Sequence, residues 1–328
     1  MSDVKAIWCN AEFPADALAE LSANLSGYRL VFSHQRAKSV LQAGGHDPLL
    51  AEADIAFGQP DPAQVMLLPR IRWVHLTSAG YTRYDTDAFR SAMQSRGGIL
   101  TNSSGVYCEP CAEHALAMIL AMSRQLPAAL DDQRGSRTWP DLPLRADCHL
   151  LRGQSILIYG YGAIARRLVE LLRPLGMKIT GVRRQSVGDE GIPIVTPEQA
   201  DALLAHVDHV MNILPASAST EQFFNARRLG LLAPTALFYN IGRGTTVDQD
   251  VLLHLLQQRK ITGAYLDVTT PEPLPKDHPL WALPNCWITP HSAGGHHDEM
   301  VRLVRHFRMN LDRYSQGRAL VDMVIKPR

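Results

Sequence analysis

The stretch Ser155-Ile-Leu-Ile-Tyr-Gly-Tyr-Gly-Ala-Ile-Ala165 decides the fold. Its apolar residues read as a buried strand, Gly160-Tyr161-Gly162 as a tight turn, and the residues that follow, through 165–172, as a helix. In a βαβ unit that holds a dinucleotide, the first glycine permits the turn and the second lets a pyrophosphate approach the main chain. A small third residue, here Ala165, allows the helix to pack closely on the strand. The helix start offers N–H groups and partial positive charge to phosphates, so the backbone around Ala163 and Ile164 is a candidate cradle. An ordinary βα turn could carry the same glycines. The strand before them and the helix after them are what point to a dinucleotide.

The next strand bears on which dinucleotide. An acid about 20 residues after the glycines normally meets the ribose 2′-hydroxyl of NAD. Here the strand at 178–182 runs into Arg183-Arg184-Gln185-Ser186, with no carboxylate. Two guanidinium groups could clamp a 2′-phosphate, so NADP(H) is expected to be preferred, with NAD(H) possible. The duller alternative is a solvated arginine pair on a loop.

Working outward, strand-like runs at 155–159, 178–182, 207–213, 236–240, 263–268 and 286–289 alternate with helical stretches. That alternation predicts a parallel sheet with helices over its faces. Upstream, strand candidates at 4–9, 28–32, 54–57, 71–76 and 98–100 and a helix at 15–25 predict a first α/β domain. The polar segment 101–105 marks the change. The helix predicted at 113–124 is apolar on more than one face, which suits burial between domains or subunits. Residues 127–149, with three prolines and Trp139, read as irregular. An amphipathic helix is expected at 298–316, and the tail 321–328 is expected to return to the first domain.

The chain has 328 residues, 46% hydrophobic and 20% charged, with a formal net charge of +1. This balance fits a globular enzyme of two domains and gives no field that favours nucleic acid or an anionic membrane. The start of the chain shows no signal-peptide pattern, and no apolar run is long enough to span a bilayer. Five scattered cysteines read as reduced thiols. A cytoplasmic setting is expected. Cys108-Glu-Pro-Cys111 has redox spacing without a redox context. His291, His296 and His297 near Asp298 and Glu299 do not form a metal pattern that outweighs solvated histidines, so no metal is expected.

The ordered motifs resemble the D-isomer-specific 2-hydroxyacid dehydrogenase family, in particular its glyoxylate/hydroxypyruvate reductase-like members. The motifs are Gly105-Val-Tyr-Cys-Glu-Pro-Cys-Ala-Glu-His114, Leu214-Pro215, Asn240-Ile-Gly-Arg-Gly244, Leu266-Asp-Val268, Glu272-Pro-Leu274 and Thr289-Pro-His291. The resemblance covers about residues 71–291 and departs at Thr269-Thr270, where an aromatic or acidic residue is frequent. It implies catalysis by Arg243, Glu272 and His291, and carboxylate binding by the Ser78-Ala79-Gly80 turn with Arg243. It further implies cofactor contacts at Leu214, Pro215, Ile241, Gly242 and Asp267, the last meeting the nicotinamide carboxamide. Arg184 occupies a position where NADP-preferring members commonly carry arginine. A homodimer built around the 113–124 helix is also implied.

The chemistry needs these residue types. Reduction of a 2-oxo acid delivers hydride to the carbonyl carbon and a proton to its oxygen. Imidazole can release a proton near neutral pH, and a carboxylate on its other nitrogen stabilises imidazolium and fixes its orientation. A guanidinium holds the substrate carboxylate and stabilises charge on the carbonyl oxygen. Taken singly, each residue has a plainer reading: Arg243 could brace a turn, Glu272 could be a solvated acid, and His291 could cap a helix. The expected architecture is α/β and two-lobed. A Rossmann domain (a doubly wound parallel sheet, 103–295) is inserted in a flavodoxin-like substrate domain (1–102 and 296–328) that closes over it. The expected activity is reduction of a glyoxylate- or hydroxypyruvate-type acid to the D-2-hydroxy acid. The alternatives are an NAD-dependent dehydrogenase of another D-2-hydroxy acid and a nicotinamide-sensing binding protein.

Overall fold

The computed structural model describes residues 4–23, 25–37, 39–42 and 44–327. In chain order its strands are β1 (Lys5–Ala11), β2 (Tyr28–Ala37), β3 (Ile55–Gly58), β4 (Trp73–Leu76), β5 (Ile99–Thr101), β6 (Ser155–Tyr159) and β7 (Lys178–Val182). They continue with β8 (Ile194–Val195), β9 (His209–Asn212), β10 (Leu237–Asn240), β11 (Gly263–Leu266), β12 (Cys286–Ile288) and β13 (Met323–Ile325). The chain divides into two compact units, Met1–Tyr107 with His296–Arg328, and Cys108–Gly295. The first division falls inside the helix Ser104–Ser123.

In the first unit the sheet order is β13-β5-β4-β3-β1-β2. Strands β1 to β5 are parallel in the flavodoxin-like order, and β13 closes the edge antiparallel to β5. Side chains alternate faces with the period of two that a pleated strand imposes. Ile7, Cys9, Ile55, Phe57 and Trp73 pack under Val304, Phe307 and Leu311 of the helix Glu299–Ser315. Trp8, Ala56, Val74 and Leu76 pack with Val65, Phe89 and Met93 on the other face.

The second unit holds a sheet ordered β12-β11-β10-β9-β6-β7-β8. Its pairings are all parallel, in the doubly wound arrangement whose order reverses between β6 and β9. Both faces are covered. Leu157, Tyr159, Val210, Phe238, Ala264 and Leu266 fill one core cluster, and Ile156, Ile158, Met211, Tyr239 and Tyr265 fill the other. Burial on both faces explains why these strands read as nearly unbroken apolar runs.

Three expectations change. The helix expected at 113–124 begins at Ser104 and contains Pro110. The segment expected to be irregular at 127–149 carries the helices Leu126–Arg134 and Asp141–Ala146. Pro127 and Pro143 stand within the first turns of these helices, where N–H groups have no intrahelical acceptor and proline removes no bond. The short edge strand β8 was not expected at all.

Candidate active site

Because β6, β7 and β9 to β12 run parallel, the segments that leave their carboxyl ends emerge on one edge of the sheet. In sheet order these are Pro290-His291 after β12, Asp267 after β11, Ile241-Gly242-Arg243 after β10 and Leu214-Pro215 beyond β9. Gly160 follows β6 and Arg183-Arg184 follow β7. Strands about 4.8 Å apart spread this row over roughly 24 Å from His291 to Arg183. The crevice at the carboxyl ends of such a sheet, at the point where strand order reverses, is where open α/β folds bind ligands.

The glycine turn fits a pyrophosphate. Gly160 has φ +89°, and a Cβ there would stand 2.7 Å from the carbonyl oxygen of Ile213, so the position requires glycine. A Cβ on Gly162 would meet nothing within 4 Å. The space lies before the ten-residue helix Ala163–Leu172, whose first N–H groups have no intrahelical acceptor. The Tyr161 ring turns away from that space: it packs on Gly181 and its hydroxyl donates to the carbonyl of Glu190 (3.1 Å). Ala165 is fully buried, and Ile164 packs at the edge of the same core. Gly242 is set by a close approach, since a Cβ there would lie 2.6 Å from the carbonyl oxygen of Leu214. Ile241 is buried and donates its N–H to Asn212 (3.0 Å).

The two arginines after β7 differ. Arg183 donates to the buried carboxylate of Glu190 (3.1 Å), which also accepts from the amides of Val187 (2.7 Å) and Gly188 (2.9 Å) and from the Ser186 hydroxyl (2.9 Å). These donors hold the Glu190 carboxyl well below its ordinary value, at about 2, with the Val187 amide the largest contributor. Arg184 is exposed and has no ion-pair partner among the described residues. Arg183 therefore organises the loop, and Arg184 is the guanidinium free to take an anion.

At the other end of the row, Nδ1 of His291 lies 2.9 Å from Oε2 of Glu272. Oε1 of Glu272 accepts from the amide of Thr269 (3.1 Å). Burial pulls the Glu272 carboxyl up, but the bond and charge of His291, the Thr269 amide and Arg243 outweigh it and leave the group below its ordinary value. Arg243 donates to the carbonyl of Gly242 (2.6 Å). Its own burial weakens its hold on its proton while Glu272, Cys111 and Asp267 act the other way, and an arginine so placed stays charged. His291 has φ +51°, uncommon for a residue with a side chain. Its N–H donates to the carbonyls of Asp267 (2.8 Å) and Thr289 (3.0 Å), which hold it there. Asp267, buried, accepts from the amides of Ser292 (2.9 Å) and Ala293 (3.1 Å).

In the first unit, Ser78-Ala79-Gly80 leaves the carboxyl end of β4. The carbonyls of this turn are engaged: Ser78 accepts from the Ser103 amide (3.0 Å), Ala79 from Asn102 Nδ2 (2.6 Å) and Gly80 from the Ser78 hydroxyl (2.6 Å). Their three N–H groups have no acceptor among the described residues, and successive N–H groups of this kind suit an anion. Gln59 and Asn102 brace the turn, and sequence reading missed both. Gln59 donates to the Ser78 hydroxyl (3.0 Å), and nothing local in sequence links it to a turn 19 positions away. Among the described residues no group of His, Cys, Asp and Glu could hold a metal ion, and no helix is long and apolar enough to cross a membrane.

A family model described as D-isomer specific 2-hydroxyacid dehydrogenase, NAD binding domain, matches residues 116–293. A glyoxylate reductase of Aeropyrum pernix is 31% identical over 268 residues, which are 78% of this chain and 77% of that protein. A glyoxylate/hydroxypyruvate reductase B of Escherichia fergusonii is 31% identical over 264 residues, covering 78% and 79%. Among solved structures, an NADPH-dependent glyoxylate/hydroxypyruvate reductase of Sinorhizobium meliloti in complex with NADP and malonate superposes with a TM-score of 0.73. It is 25% identical, over 99% of each chain.

Proposed function

The chain belongs to the D-isomer specific 2-hydroxyacid dehydrogenase family of NAD(P)-dependent oxidoreductases, and from that premise we propose that it reduces a small 2-oxo acid of the glyoxylate or hydroxypyruvate type to the D-2-hydroxy acid. NADP(H) is the preferred cofactor and NAD(H) is also accepted. The observation that carries the reading is the Glu272–His291 hydrogen bond of 2.9 Å, electrostatically coupled to Arg243 on the sheet edge that also carries the glycine turn.

The nicotinamide, when bound, supplies a hydride to the carbonyl carbon. Arg243 binds the substrate carboxylate and stabilises negative charge growing on the carbonyl oxygen. Nδ1 of His291 is engaged by Glu272, so Nε2 is the nitrogen left to give a proton to that oxygen. Glu272, held in its charged form, takes the Nδ1 side of the ring and fixes its orientation, so that Nε2 faces away from the carboxylate. The Ser78-Ala79-Gly80 turn of the first unit is a second carboxylate cradle, which makes that unit the substrate domain and the second unit the dinucleotide domain.

The NADP preference is supported by the exposed Arg184, by the lack of an acid directly after β7 and by the NADP complex of the Sinorhizobium relative. The protein works as a cytoplasmic homodimer in this reading. Support for the second copy comes from an open apolar groove of about 870 Å³ lined by Leu126, Leu130, Trp139 and Leu144, with Trp139 85% exposed. Oxidation of NADPH and of NADH, each followed with a panel of 2-oxo acids, tests the function. Turnover of glyoxylate or hydroxypyruvate with NADPH is expected. Tight cofactor binding without turnover of any acid would favour a sensor, and turnover of other acids with NADH alone would favour an NAD-dependent dehydrogenase.

A further inference from the structure

Three buried or half-buried polar side chains in the second unit have no part in the mechanism above, yet they form one continuous line to Asp267. Nε2 of His114, on the helix Ser104–Ser123, lies 2.5 Å from the hydroxyl of Tyr265. That hydroxyl is hydrogen-bonded to the hydroxyl of Thr289, and Thr289 donates to Oδ1 of Asp267 (2.5 Å). Tyr265 is fully buried on β11, in the core cluster that also holds Ala115 and Ile119 of the same long helix, and its ring lies 5.7 Å from that of His114.

Proton counting fixes the direction of this line. An ionised carboxylate only accepts, so the single proton of Thr289 goes to Asp267. The Thr289 oxygen can then only accept from Tyr265, whose single proton is used in doing so. The Tyr265 oxygen must accept in turn, which requires Nε2 of His114 to carry a hydrogen. Burial pushes the Tyr265 phenol well above its ordinary value, which keeps it a donor. All three dipoles therefore point at one carboxylate oxygen.

The far end of the line is where this matters. Oδ1 of Asp267 accepts from Thr289, from the Ser292 amide (2.9 Å) and from the Ala293 amide (3.2 Å), whereas among the described residues the one backbone amide on Oδ2 is that of Ala293, at 3.1 Å. Thr289 and the amides of Ser292 and Ala293 bracket His291, whose own N–H rests on the Asp267 carbonyl. We propose that His114, Tyr265 and Thr289 are positioning residues. They form a one-way hydrogen-bond relay that locks Oδ1 of Asp267 and the 289–293 turn, leaving Oδ2 as the acceptor for the carboxamide of the nicotinamide. The proposal rests on the reading of Asp267 as a cofactor contact under the proposed function. It adds that a histidine more than 150 positions away in the chain sets the orientation of that contact.

The relay acts on the nicotinamide end of the cofactor and leaves the adenosine end, at β6 and β7, untouched. The experiment therefore compares two probes on the full chain, NADPH and ADP-ribose 2′-phosphate, which lacks only the nicotinamide. If the cofactor proves to be NADH, it is paired with ADP-ribose. The variants are Tyr265→Phe, which removes one hydroxyl, His114→Leu, which cannot donate, and His114→Gln, whose amide N–H can replace Nε2–H. Tyr265→Phe and His114→Leu are expected to weaken NADPH binding about tenfold while binding of the fragment changes less than about twofold, and His114→Gln recovers most of the loss. Unchanged NADPH binding in Tyr265→Phe overturns the relay. So does an equal loss for both probes, which marks a merely structural role, or a His114→Gln variant as impaired as His114→Leu. Because these are binding measurements, absence of turnover with any 2-oxo acid would sink the proposed reaction and leave the relay to be decided by the ratio.

Discussion

Replacing Gly162 with alanine should weaken cofactor binding without harming the fold, whereas replacing Gly160 should cost the fold itself several kcal/mol. Gly162 has φ −109° and ψ −156°, a backbone that alanine adopts freely, and its Cβ would enter open space. At a helix N-cap alanine is worse than glycine by several tenths of a kcal/mol up to about 1 kcal/mol, while loss of unfolded-chain freedom returns about 0.4–1 kcal/mol. The net effect on stability is close to zero. If that open space is where the pyrophosphate meets the main chain, the methyl group overpacks the complex by about 1–3 kcal/mol, or roughly a 5- to 150-fold rise in dissociation constant. A Cβ on Gly160, at φ +89°, would stand 2.7 Å from the Ile213 carbonyl oxygen and 3.0 Å from the Leu214 nitrogen. The left-handed backbone costs alanine about 1–2 kcal/mol and the clash about 1–3 kcal/mol more, a large part of a stability of roughly 5–15 kcal/mol. The assays are NADPH fluorescence titration and thermal unfolding, run on both variants. Gly162→Ala binding NADPH as tightly as the parent, or melting as early as Gly160→Ala, would refute the placement of the phosphates.

Arg184→Asp should raise the dissociation constant for NADPH roughly tenfold or more and leave that for NADH within a few-fold, because only the former presents a phosphate to the free guanidinium. An undiminished NADPH preference would contradict it. Glu272→Gln keeps an acceptor for His291 but removes the charge, so kcat/KM should fall roughly tenfold, read from initial rates. Glu272 also bears on acid stability. Its carboxyl is held below the ordinary 4.5, so its stabilising interactions are fully present above that value and are lost as the pH falls through its lower folded value. Denaturant midpoints should therefore show the parent losing part of its margin over Glu272→Gln only in acid below about pH 4.5, and a margin lost near neutral pH would contradict the sign. A Trp139→Glu, Leu130→Glu double variant should shift the light-scattering mass from twice 36.3 kDa to 36.3 kDa, and a parent already at the lower mass would remove the dimer.

Much of the site was legible because parallel strands turn sequence order into spatial order. Once β6, β9, β10, β11 and β12 are recognised as parallel neighbours, the residues after each of them must share an edge, whatever lies between. Arg243, Asp267 and His291 are gathered in this way. The glycines were legible because turn geometry and phosphate access demand them locally. Other features had no local signature. Pro127, Pro140 and Pro143 read as helix breakers, yet they stand at or near helix starts, where the missing N–H costs no bond. The division of labour between Arg183 and Arg184 depends on Glu190, a loop acid whose partners are fixed only when the loop closes on itself. His114, Tyr265 and Thr289 were hidden for a different reason. Each sits in an apolar or motif-like run whose pattern fully explains it, and only tertiary packing brings their polar atoms into line.

In the proposed reduction, the imidazole paired with Glu272 delivers the proton and a nicotinamide cofactor the hydride. The most direct measurement is single-turnover oxidation of NADPH by hydroxypyruvate or glyoxylate in the parent and in His291→Asn, with NADPH affinity measured on the same samples. The rate should fall at least about 100-fold while the dissociation constant for NADPH stays within a few-fold of the parent's. A rate within a few-fold of the parent's, at unchanged NADPH affinity, would contradict the assignment of His291 as proton donor.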